Sequence, residues 1–103
     1  MNDAAFTPHA RRELEAAIAW IADDNPDAAQ GLLRAALQAA SMITGKPNLA
    51  RVRLDLAPTR YRFWSLRGYP YLLIFDTDTD PPVVARFVHQ ARDLPAVLND
   101  LVQ

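Results

Sequence analysis

Residues 60–92, RYRFWSLRGYPYLLIFDTDTDPPVVARFVHQAR, leave this chain little freedom in how it folds. Three runs rich in aromatic, branched and other large apolar residues follow one another, at residues 60–66, 69–76 and 83–90. Such residues suit a pleated, half-buried surface. The link between the first two, Arg67-Gly68, is hairpin-short, and Gly68 supplies the positive φ that a tight turn needs. The link from Thr77 to Pro82 is polar, and its prolines cannot donate to a strand ladder. Links this short force antiparallel neighbours. The C-terminal half is therefore expected to be a three-stranded antiparallel meander, with the preceding residues covering one face.

Alternation along the runs sorts their side chains. Arg60, Arg62, Trp64 and Leu66 share one side of the first, and Tyr61, Phe63 and Ser65 the other. The second is apolar on both sides from Tyr71 to Phe75, so it should be central and covered on both faces. In the third, Val84, Arg86 and Val88 alternate with Val83, Ala85, Phe87 and His89. Tyr71 and Phe87 are expected in the core.

The N-terminal half has helical period. Residues 4–7 are long enough for only a short first strand. Thr7-Pro8 then starts a helix, Thr as N-cap and Pro in the first turn. Leu14, Ala17, Ile18 and Ile21 recur on one face, with Trp20 to one side. Asn25-Pro26 ends that helix and starts another. Along the second, Ala29, Leu32, Leu33, Ala36, Leu37, Ala40 and Ile43 repeat at helical spacing. Gly45 is expected as a left-handed stop before Pro47. So short a connection makes the pair an antiparallel αα-hairpin. Residues 46–59 have two prolines and no sustained period, and read as a connector. Residues 93–101 read as a short helix whose Val97, Leu98 and Leu101 pack back. The expected fold is α+β: an αα-hairpin on a small antiparallel sheet, in the order (β)ααβββα, one domain over residues 1–103.

The net charge of −1 hides an asymmetry. Residues 34–67 carry Arg34, Lys46, Arg51, Arg53, Arg60, Arg62 and Arg67 against Asp55 alone, while both flanking segments are acidic. Such a segment either meets an acidic partner or pairs internally. The chain has no cysteine, so disulfides, thiolate metal sites and cysteine nucleophiles are excluded. No apolar run approaches the ~20 residues of a membrane span, and no signal peptide is visible in MNDAAFTPHARRELE. A cytoplasmic location is expected, without membrane association.

Catalytic patterns are poorly represented. Asp76, Asp78 and Asp80 alternate like the start of a calcium loop, but Pro81 and Phe87 stand where that loop needs Gly and Glu. No metal or cofactor is expected. His9 and His89 fall on different elements, and the bland reading of His89 is a structural hydrogen bond. Arg86, on a strand among apolar residues, is read as a structural arginine paired with Asp93 or Asp100. Arg60, Arg62 and Arg67 are read as partner-facing, because guanidinium groups fit carboxylates and phosphates bidentately. Trp64 shares a side with two of them, a mixture found at interfaces.

The chain resembles the ParE branch of the RelE/ParE toxin superfamily. The likeness covers about residues 4–101. It rests on FTPHARREL at 6–14, DDNPDAA at 23–29, YLLIFD at 71–76 and RFVHQARDLPAVL at 86–98, in that order and spacing. One departure is Phe75-Asp76-Thr77, where members often end the strand Phe-Tyr-Arg. The resemblance implies the toxin of a type II toxin–antitoxin pair, acting on DNA gyrase by binding and neutralised by an antitoxin, ParD-like or similar. On that reading Arg60, Arg62, Trp64, Arg67, His89 and Arg92 face the target. Trp20, Ile21, Leu33 and Leu37 face the antitoxin. No catalytic residue and no sequence-specific DNA reading by this chain are expected. The alternatives are a RelE-like ribosome-dependent ribonuclease and a non-toxic binding module of such a complex. The ribonuclease reading is weakened by a single lysine and by the lack of any tyrosine after Tyr71.

Overall fold

The structure, a computed structural model, describes residues 5–102. Helix α1 spans Pro8–Ala22 and α2 Pro26–Gly45. Strands follow at Arg51–Val52 (β1), Tyr61–Ser65 (β2), Tyr71–Asp76 (β3) and Val83–His89 (β4). A short helix α3, Leu94–Val97, runs into a 3-10 turn at Asn99–Val102. The α+β layout with an αα-hairpin on an antiparallel sheet is as expected. Both helix starts use the anticipated caps: the Thr7 hydroxyl accepts from Ala10 N–H and the Asn25 side chain from Ala28 N–H.

The sheet has four strands, ordered β1-β2-β3-β4, all antiparallel. The extra strand lies in the connector, where Arg51 and Val52 pair with Phe63 and Arg62. Two residues are too few to show a period, so it becomes a strand only because β2 is there to template it. The rest of the connector is structural too. Leu56 and Ala57 are buried on the face away from the hairpin, with Phe63, Leu72, Ile74, Leu98 and Leu101. The hairpin face holds the larger cluster, including Leu14, Leu32, Ile43, Leu66, Tyr71, Leu73, Phe75 and Phe87. β3 is buried on both faces from Tyr71 to Phe75, as its composition required.

Three local expectations change. Strict alternation fails in β4: Ile74 faces Arg86 but Phe75 faces Val84, so a bulge at Ala85 moves Val84 onto the hairpin face with Phe87. Gly45 is not a left-handed stop. It is the last residue of α2, and the only positive-φ glycine among the described residues is Gly68, at 86°. Of the expected first strand, Ala4 lies outside the described residues, and Phe6 forms a single parallel bridge to Val84.

That bridge belongs to a cover over the outer edge of β4. Val84 N–H donates to Ala5 O and Thr7 N–H donates to Val84 O, both at 2.9 Å. The Thr7 hydroxyl donates to Ala85 O at 3.0 Å, and Phe87 N–H donates to Glu13 Oε1 at 2.9 Å. An edge whose groups are occupied in this way cannot accept a further strand. The free edge is β1.

Candidate functional site

Part of the positive charge of residues 34–67 is spent inside the fold. Arg60 forms a bidentate pair with Asp76, at 3.2 and 2.6 Å, and lies 3.4 Å from Asp78. Hydrogen bonding to Asp76 raises the Arg60 pKa, and the same bonds lower that of Asp76. Arg53 is bidentate to Asp55, at 3.1 and 2.8 Å. Arg62 donates to Ala50 O at 3.0 Å, tying β2 to the residue before β1. Among the described residues, Arg51 and Arg67 form no ion pair, and both are exposed.

Those two arginines meet at one end of the sheet. Arg51, Arg53 and Arg67 rim a cleft of about 280 Å³ whose walls are Phe63, Trp64, Ser65 and Leu72. Trp64 and Arg67 also wall a second cleft, of about 440 Å³, between the sheet and α2. Its other walls are Ala35, Gln38, Ala39, Met42 and Leu66. Trp64, half-buried against the hairpin cluster, is thus common to a basic cleft and an apolar one. No carboxylate lines either cleft. Reading the connector as a loop hid Arg51 and Arg53. No local period could have shown the strand, because β1 is only two residues long and pairs only with β2.

His89 and Arg92 lie elsewhere. They line a cleft of about 260 Å³ with Glu13, Ala16, Tyr71 and Phe87, at the β4 side of α1. His89 is engaged locally: its Nδ1 accepts from Ala91 N–H at 3.0 Å, and its ring packs edge-on against Tyr71, centroids 5.1 Å apart. Glu13 is committed to Arg86 and to Phe87 N–H. Arg86 is 5% exposed, and it also donates to Val97 O and Asp100. Its structural reading holds: Asp100 is one partner, and Glu13, 73 residues away, is the other.

The hydrophobic quartet on the hairpin is also divided. Leu33 and Leu37, both partly exposed, line a groove of about 330 Å³ with Phe6, Arg11, Leu14, Glu15 and Ile18. Ile21 packs on the core cluster. Trp20 is 79% exposed, and helical spacing sets it one turn beyond Ala16 and Ala17, which wall the His89 cleft. Among the described residues no group of three or more His, Cys, Asp or Glu is placed to hold a metal ion, and no helix is long and apolar enough to cross a membrane.

A helical hairpin laid on an antiparallel sheet, in this order of elements, is the fold expected of a toxin of the RelE/ParE superfamily. The chain belongs to the ParE toxin family: residues 4–94 match the family described as ParE toxin of type II toxin-antitoxin system, parDE. It is therefore the toxin component of a type II system, and an antitoxin partner is implied. No curated protein sequence matches the chain.

Proposed function

We propose that this toxin inhibits DNA gyrase by binding, with no reaction of its own, and that a ParD-like antitoxin holds it inactive. The observation that carries the reading is the cleft in which Arg51 and Arg67, without acidic partners among the described residues, flank Trp64. Two unneutralised guanidinium groups beside a large aromatic suit an anionic macromolecular surface, and a gyrase–DNA complex offers one. The family membership points the same way.

Binding without catalysis is supported by what the polar groups near His89 already do. A general base needs an uncommitted acceptor within reach of the proton it takes. Glu13 is held by Arg86 and Phe87, and the His89 Nδ1 by Ala91. One observation favours the ribonuclease reading: Tyr71, His89 and Arg92 do share a cleft. For the antitoxin, the Leu33–Leu37 groove is an apolar seat, and β1 is an edge to which an extended tail can add a strand.

Purified chain added to gyrase and plasmid tests the proposal directly. Loss of supercoiling or accumulation of cleaved DNA, with ribosome-bound RNA left intact, is the expected result. Intact supercoiling with cut RNA would replace it by the ribonuclease reading. No effect in either assay, and no growth defect on induction without antitoxin, would leave a non-toxic binding module.

A further inference from the structure

The two clefts that share Trp64 and Arg67 lie on either side of β2, the larger toward α2 and the smaller on the face of Phe63 and Leu72. A ligand that fills both therefore bends around the strand at Trp64 and Arg67. The chemistry of the two clefts is complementary. The larger is apolar and bounded by Met42, Leu66 and the Trp64 side chain. Its polar side chains are Gln38 and, at the boundary, Arg67. The smaller is cationic, rimmed by Arg51, Arg53 and Arg67. Arg53 is neutralised by Asp55 at 2.8 Å, so the available charge is that of Arg51 and Arg67.

From this juxtaposition we infer that the two clefts form one site for a nucleotide, with the base in the apolar cleft and the phosphate on Arg67 and Arg51. Each part of the pair matches one part of the ligand. Trp64 supplies a face on which a base stacks, a contact that tolerates any base. The Gln38 amide presents a donor and an acceptor side by side, the pattern that fits the N6 and N7 of adenine. Guanidinium groups bind phosphate through paired N–H bonds. An apolar ligand would leave the arginines unused. An inorganic anion would leave the larger cleft unfilled. The same chemistry comes from two sources, a free adenine nucleotide or an unpaired base of a nucleic-acid strand. The inference does not depend on gyrase being the target.

The test is a fluorescence titration in a Trp20→Phe background, which leaves Trp64 as the sole tryptophan. Trp20 is 79% exposed, so the exchange does not disturb the core. The probes are ADP, a six-residue oligodeoxyadenylate, pyrophosphate, and an acidic peptide containing Phe. Saturable quenching by ADP or the oligonucleotide, at least tenfold tighter than pyrophosphate, is expected. Tighter binding of the oligonucleotide than of ADP makes a strand the source, and equal binding makes it the free nucleotide. Arg51→Ala and Arg67→Ala should each weaken binding by roughly tenfold or more, as loss of a charged hydrogen bond does. Gln38→Ala, on an exposed helix position, should keep the fold and reduce the preference for adenine over uracil nucleotides. The proposal is overturned if no nucleotide quenches saturably at millimolar concentration or if pyrophosphate binds as well as ADP. It is equally overturned if the peptide binds more tightly than both nucleotide forms, or if all three variants bind like their parent.

Discussion

The Glu13 carboxylate and the Arg86 guanidinium, 73 residues apart, form a bidentate pair at 2.9 and 2.8 Å that joins α1 to β4. Glu13 Oε1 also accepts from Phe87 N–H, so one carboxylate both neutralises a buried cation and caps a strand edge. Asp100 completes the arginine's shell from the C-terminal turn. Hydrogen bonding to Glu13 raises the Arg86 pKa, with a smaller opposing effect of burial. Breaking a buried pair from one side costs ~3–5 kcal/mol, because the other charge is left without its partner. Glu13→Ala should therefore destabilise the domain by about 3 kcal/mol in urea denaturation. Asp100→Asn should cost about 1 kcal/mol or less, since the Asp100 side chain is 49% exposed. A Glu13→Ala loss below that of Asp100→Asn would show that water, not the carboxylate, satisfies Arg86.

Phe87 is the second anchor of β4. It is 2% exposed, and its ring stacks on Tyr71 with centroids 4.9 Å apart and planes at 12°. Truncating a buried Phe typically costs ~3–5 kcal/mol, against a total of ~5–15 kcal/mol for a domain. Phe87→Ala should unfold the chain at 37 °C or lower its urea midpoint by about half. Phe87→Leu should retain most of the stability, since it keeps apolar volume in the same place.

The Arg60–Asp76 pair makes stability depend on pH in a defined direction. Its hydrogen bonds hold the Asp76 carboxyl below its ordinary value. A carboxyl with a lowered folded pKa stabilises the fold fully above its unfolded pKa of about 4. That contribution is lost as pH falls from there through the folded value. Asp76→Asn should remove it, at a cost of about 1 kcal/mol or less at pH 7 for a pair whose arginine is exposed. The difference between wild type and Asp76→Asn in urea midpoint should shrink between pH 6 and pH 2. A constant difference across that range would mean that the ion pair is not the cause.

Arginine substitutions should separate the charges used by the fold from those available to a target. Replacing Arg51 and Arg67 together by Ala should leave stability within about 1 kcal/mol, as expected for two exposed sites. It should sharply reduce toxicity, read as growth after induction without antitoxin. Arg60→Ala should leave toxicity nearly intact, because that guanidinium is already occupied by Asp76 and Asp78. The opposite ranking would place the active surface at the β2–β3 end that carries Asp76.

The antitoxin seat is testable by hydrogen exchange on the pair against the toxin alone. Added protection is expected at β1 and around Leu33 and Leu37. The amides of Val84 and Phe87 should change little, because the β4 edge is already occupied by Ala5 and Glu13. Protection gained at β4 and none at β1 would reverse the assignment of the free edge.

Local physics was enough to make much of this protein legible. Thr7-Pro8 and Asn25-Pro26 start helices by chemistry that needs no distant residue, and the side-chain caps are in place. The continuous apolar run of β3 demanded cover on both faces, and both clusters include it. Gly68 has the positive φ that a short link requires. Tertiary structure decided where the partners are far apart along the chain. β1 exists because β2 templates it, and the Ala85 bulge breaks an alternation that local pattern cannot correct. The same holds for the arginines. Composition placed seven cations in one segment, but only folding brought Asp76 and Asp78 to Arg60, and left Arg51 and Arg67 together at Trp64. A charge announces itself in sequence, whereas its neutralisation depends on which residues the fold brings within a few ångströms.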